Sequence, residues 1–94
     1  MTPKWTASSD KHGVARPDQA YAIAHRTYVD HLPQESIDDG EVWLFIGPRH
    51  AQALPEDEIE VLVNVYSDGR PARIFHAMPL GPKFRRHREE NPHD

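Results

Sequence analysis

Apolar positions along this chain change their spacing twice, and each change marks an element. Behind Arg16-Pro17-Asp18-Gln19, the residues Ala20, Ile23, Ala24, Thr27 and Tyr28 recur at the interval of one helical face, which predicts an amphipathic helix from Pro17 to about Val29. Pro17 has the fixed φ that suits a first helical turn, and Asp18 places a negative charge at the positive end of the helix dipole. Pro33 ends any continuation. Ser36-Ile37-Asp38-Asp39-Gly40 carries the Asp-Gly signature of a tight turn. From Glu41 to Ile46 the apolar run is almost unbroken, β-branched and aromatic, the pattern of a central strand buried on both faces. Gly47-Pro48 stops it, and a loop containing Pro55 comes next.

The spacing then becomes strictly two. Ile59, Val61, Val63 and Val65 alternate with Glu60, Leu62, Asn64 and Tyr66, as in a strand with one face against a core. Ser67-Asp68-Gly69-Arg70-Pro71 reads as a hairpin turn and Ala72 to Met78 as the returning strand. Pro79, Gly81 and Pro82 break that strand, and one or two helical turns are expected over Lys83 to Glu90. The fold class is therefore α+β: an antiparallel sheet of three or four strands, with the N-terminal helix and the short C-terminal helix packed on one face. Residues 1–11 are expected to be a flexible arm, 12–90 a single domain and 91–94 a frayed tail.

Length limits what such a domain can do. A chain of 94 residues buries only about 60–65% of the surface its unfolded form exposes, so a large enclosed pocket is not expected. With no cysteine there is no disulfide framework, thiolate zinc site or cysteine nucleophile. No apolar run approaches the roughly 20 residues that span a bilayer, and the N-terminus lacks the apolar stretch of a signal peptide. A cytoplasmic protein without a membrane partner is the expectation.

Net charge is −4, which argues against coating nucleic acid through bulk electrostatics. Its distribution changes that picture. Eight carboxylates and one cation, Arg49, lie between Glu35 and Glu60, whereas Arg70 to Arg88 contains six cations and no carboxylate. A basic face on an acidic body is one reading, and two solvated surfaces the other.

Cleaving RNA without a metal requires a base for the 2′-hydroxyl proton, an acid for the leaving oxygen and cations for the phosphorane. Histidine serves both proton roles near neutral pH. His76, just before a basic segment, and Arg73 beside it are the catalytic candidates; the alternative for His76 is a histidine that closes the sheet by hydrogen bonding. Lys83, Arg85, Arg86 and Arg88 are the phosphate-binding candidates, since arginine forks grip phosphate in two places; otherwise they are the solvated face of a terminal helix. His25 reads as a solvated helix residue, and His12 as a residue that positions the loop entering the helix, with catalysis as the alternative. No histidine pair has metal-ligand spacing, so neither a metal site nor a cofactor is expected. Trp43 and Phe45 read as core, Asp38-Asp39 as turn chemistry, and Tyr66 as an exposed aromatic.

Lys11-His12-Gly13-Val14 leads into a helix. An Asp-Gly turn comes after it, then a strand ending in Ile46-Gly47, and a hairpin with Leu62-Val63 and Arg73-Ile74-Phe75-His76-Ala77 on its two strands, before a basic tail. Over Lys11 to Arg88 this order resembles the BrnT-like toxins, small ribonucleases of type II toxin–antitoxin pairs related in outline to RelE toxins. The run from His76 to Phe84 resembles an actinobacterial variant. The resemblance implies a metal-independent endoribonuclease, RNA as substrate and a cognate antitoxin as partner. The chain departs from the family in being acidic, and in having His76-Ala77-Met78 where Ser-Ala-Arg is frequent. A non-catalytic protein-binding module on the same fold, a bacterial or phage regulator, is the alternative these departures favour.

Overall fold

At Tyr28 the chain leaves the helical path that its spacing predicts. The computed structural model describes residues 3–36 and 38–93, and in it the first helix, α1, spans only Arg16–Ala24. Thr27 N–H then donates to the Ile46 carbonyl, and Tyr28–His31 forms a strand, β2. Thr27, Tyr28 and Val29 are β-branched or aromatic and suit a pleated surface better than a helix end. The remaining elements are β1 at Lys4–Trp5, β3 at Glu41–Pro48, β4 at Glu58–Val65, β5 at Arg73–Pro79 and a second helix, α2, at Pro82–Glu90.

The protein is α+β, with five strands in the order β1-β5-β4-β3-β2. β1 runs parallel to β5, and the other neighbours are antiparallel. The central strand is β4, with Ile59 through Asn64 all buried, whereas β3, expected in that place, leaves Trp43 and Phe45 half-buried. Register explains the difference. Trp43 lies opposite Val63 and Phe45 opposite Val61 on one face, while Leu44 meets Leu62 and Ile46 meets Glu60 on the other.

Each face carries its own core. On the first, Ile59, Val61, Val63, Ile74 and Ala77 pack with Val14 and Ala22, which places α1 there. On the second, Val42, Leu44, Ile46 and Leu62 pack with Tyr28, Leu32 and Phe84, which places α2 there. The helices thus cover opposite faces rather than one, because β3 and β4 offer apolar side chains in both phases. Gly47 sets how closely α1 approaches: a Cβ at that position would lie 2.5 Å from the Ala22 carbonyl oxygen and 3.1 Å from the Arg26 Cα.

The N-terminal segment, expected as a flexible arm, is laid along the outer edge of β5. Lys4 N–H donates to the Ala72 carbonyl (2.8 Å) and Thr6 N–H to that of Ile74 (3.0 Å), and the Ser8 hydroxyl to that of Phe75 (2.7 Å). These bonds satisfy acceptors that an uncovered edge would leave open. Asn91, in the tail expected to fray, is likewise held: Tyr28 OH donates to its carbonyl at 2.7 Å. In the turn before β3, Asp38 and Asp39 take φ of +47° and +62°, which short polar side chains tolerate; Ile37 of that turn lies outside the described residues. Among the described residues no helix is long and apolar enough to cross a membrane.

The ladder between β4 and β5 is irregular at one point. Its register changes between Leu62, opposite His76, and Val63, opposite Ile74. Phe75 is the extra residue of a β-bulge, so that Arg73, opposite Asn64, and His76, opposite Leu62, share the second face.

Candidate active site

Glu60 belongs to the phase of β4 that faces α2, and it is buried. Two donors meet its carboxylate. Oε1 accepts the Gly81 N–H at 2.8 Å, just before α2 begins, and Oε2 lies 2.8 Å from His76 Nε2. An ionised carboxylate in that position assigns the imidazole proton to Nε2 and leaves the Nδ1 lone pair as an acceptor. The His12 ring stands edge-on to His76, with centroids 5.6 Å apart, and is exposed.

Beside this group is a cavity of about 380 Å³ bordered by Glu60, His76, Met78, Gly81, Lys83 and Phe84. Its mouth includes the first turn of α2, which has no side-chain cap at Gly81. The first N–H groups of a helix have no partner within it and carry partial positive charge, so they favour an anion. An oriented imidazole, a second imidazole and these donors form a set capable of proton transfer beside a phosphate.

The expected cations are not gathered in one clamp. Lys83 borders the His76 cavity but its Nζ pairs with Glu35 at 3.0 Å. Arg88 pairs with Glu58 at 2.9 Å, and the Glu58 carboxylate also accepts from the Thr27 hydroxyl. Arg85 and Arg86 lie on the outer side of α2, bordering a separate cavity of about 260 Å³ with Leu80 and Glu89; Arg86 makes no hydrogen bond or ion pair among the described residues. Arg73 is two register positions from His76, about 7 Å along the strand, with its guanidinium 5.9 Å from the Tyr66 ring centroid.

Several other expectations meet different surroundings. Tyr66 is buried rather than exposed, and its hydroxyl accepts from Asn64 Nδ2 at 3.1 Å. Trp43 stacks on His31, with centroids 4.9 Å apart. His25 is exposed at the end of α1 and stacks on Tyr21 at 4.1 Å. Among the described residues no group of three or more His, Cys, Asp or Glu is arranged to hold a metal ion. Glu60, the residue that sequence reasoning missed, had one signal: a lone charge inside the run Ile59 to Val65.

A second polar cluster fixes the far end of α2. His87 Nε2 lies 2.7 Å from Asp30 Oδ2, and His93 Nε2 3.5 Å from Oδ1. Burial raises the Asp30 carboxyl, but the hydrogen bonds from His87 and the His31 N–H, with the charges of His87 and His93, outweigh it and hold the group below its ordinary value. Burial, followed by the nearby Asp30 carboxylate, pushes the Tyr28 hydroxyl up, against a smaller lowering by Arg88.

Comparison with known proteins finds no matching family model, no matching curated protein and no matching solved structure.

Proposed function

We propose that this chain is a metal-independent endoribonuclease of the BrnT-like toxin type, in which His76 carries the proton and Glu60 orients it. The observation that carries this reading is the 2.8 Å contact between the buried Glu60 carboxylate and His76 Nε2. In the first step, His76 Nδ1 takes the proton of the RNA 2′-hydroxyl, whose oxygen attacks the adjacent phosphorus. The P–O5′ bond breaks, the departing oxygen takes a proton from the His12 imidazolium, and the product ends in a 2′,3′-cyclic phosphate. The Glu60 carboxylate stabilises the imidazolium that forms on His76. Lys83 and the first turn of α2 oppose the charge of the phosphorane.

The cations that the sequence offered as a clamp have a different weight here. Lys83 is the phosphate ligand next to the chemistry, and it leaves Glu35 to serve. Arg85 and Arg86 suit the contact with a cognate antitoxin or the incoming RNA backbone. Arg73 binds a neighbouring part of the substrate rather than the reacting phosphate. The protein acts in the cytoplasm, where its substrate is.

A second reading has its own support. Lys83–Glu35 and Arg88–Glu58 neutralise two of the four tail cations internally, as expected of a protein-binding module that uses α2 as a structural cover. Expression separates the two. Induction without a partner should arrest bacterial growth, and His76→Ala should relieve the arrest while the circular dichroism spectrum is retained. Harmless expression of the wild type, with cellular RNA intact, would leave the binding module as the better account.

A further inference from the structure

Beyond His76 along β5, the second face opens into another cavity, of about 210 Å³, whose wall includes Asp38, Asn64, Tyr66, Arg73 and Phe75. The bulge creates it. In a regular strand, Arg73 and His76, three residues apart, would point to opposite faces; the extra residue at Phe75 brings both to the same one. Phe75 also packs against the core that holds Leu62 and Phe84, two residues that border the cavity beside His76. The Ser8 hydroxyl, bonded to the Phe75 carbonyl at 2.7 Å, braces the bulge from the strand edge.

The chemistry of the wall has two sides. Arg73 is exposed and forms no ion pair among the described residues, and Tyr66, having accepted the Asn64 amide proton, keeps its own proton to donate. Asp38 supplies a carboxylate. A flat ring fits against Phe75, an N–H-bearing edge against Asp38, and an anion against Arg73 and the Tyr66 hydroxyl.

We propose that this cavity is a nucleotide subsite, which holds the base of single-stranded RNA flanking the cleaved phosphate against Phe75 and its own phosphate on Arg73. The proposal rests on the ribonuclease reading for the direction of the strand, from Arg73 past Phe75 to His76. Paired bases are excluded, because stacking on Phe75 requires a base face free of its neighbour.

The test uses a 2′-O-methyl RNA hexamer of mixed sequence, which lacks the attacking hydroxyl and so measures binding without cleavage. Titration followed by nuclear magnetic resonance should move the Tyr66 and Phe75 ring signals. Phe75→Leu and Arg73→Gln should each weaken Kd by roughly fivefold or more while keeping the folded circular dichroism spectrum, and Gln52→Ala, in the exposed loop before β4, should bind as the wild type does. A wild type that fails to bind the hexamer, or variants that bind as tightly as it does, would overturn the subsite. The ribonuclease reading fails separately: binding through Phe75 and Arg73 with no cleavage of unmodified RNA leaves a single-strand binding site.

Discussion

Glu60 stands in a strand of valines and leucines, and a buried carboxylate is tolerated there because the Gly81 N–H and His76 Nε2 both meet it. Alternation along β4 assigns Glu60 and Asn64 to an outer, solvated face, and it does so correctly as to phase. What alternation cannot express is that α2 returns from the far end of the chain to cover that face. His76 was legible from its place before a basic segment; its partner was not, since the two are 16 residues apart and meet only through strand pairing. Asp30 carries the clearest pH dependence. Its folded pKa lies below the ordinary 3.8, so its contribution to stability is fully present above that value and is lost as pH falls through the lower, folded one. Asp30→Asn should therefore be less stable than the wild type near neutrality and lose less stability on acidification, as acid unfolding followed by circular dichroism will show. Parallel acid limbs for the two proteins would remove Asp30 from the account.

At the scale of elements, the hairpin of β4 and β5 and the terminal helix were readable, because each rests on local chemistry: a Gly69 with φ of +90°, a proline, a strict alternation; the stop expected at Gly47-Pro48 comes two residues later, since both pair with β4 and β3 ends at Pro48. The misplaced features are those set by contacts distant in sequence. α1 ends early because β3 recruits Thr27 and Tyr28 as a partner strand, and the β5 bulge leaves no mark in the spacing of Arg73 to Ala77. Gly47 joins the two levels. Its backbone position opposes the backbone of α1, so a methyl group there finds no flexible side chain to displace, and α1 must move. Gly47→Ala should cost about 1–3 kcal/mol and lower Tm by at least roughly 4 °C for a domain of this size. An unchanged thermal melt would show that α1 does not sit as closely as described.

For the whole molecule, the polarised charge of the sequence turns out to be partly self-directed. Carboxylates from the acidic middle meet cations of the basic tail, Glu35 with Lys83 and Glu58 with Arg88, and these pairs hold α2 across the face that contains His76. That arrangement leaves a small, oriented imidazole–carboxylate pair in place of a broad basic surface, in keeping with net charge −4. The most direct measurement is cleavage of a defined single-stranded RNA by the purified protein in the presence of a chelator, comparing wild type, His76→Ala and Glu60→Gln after circular dichroism has shown each to be folded. Glu60→Gln keeps the acceptor for the Gly81 N–H but presents an amide donor to His76 Nε2, which moves the imidazole proton to Nδ1 and blocks its role as base. The account predicts 2′,3′-cyclic phosphate ends from the wild type, and a fall of roughly a hundredfold or more in both variants. Intact RNA with the wild type, or cleavage by folded Glu60→Gln at the wild-type rate, would contradict it.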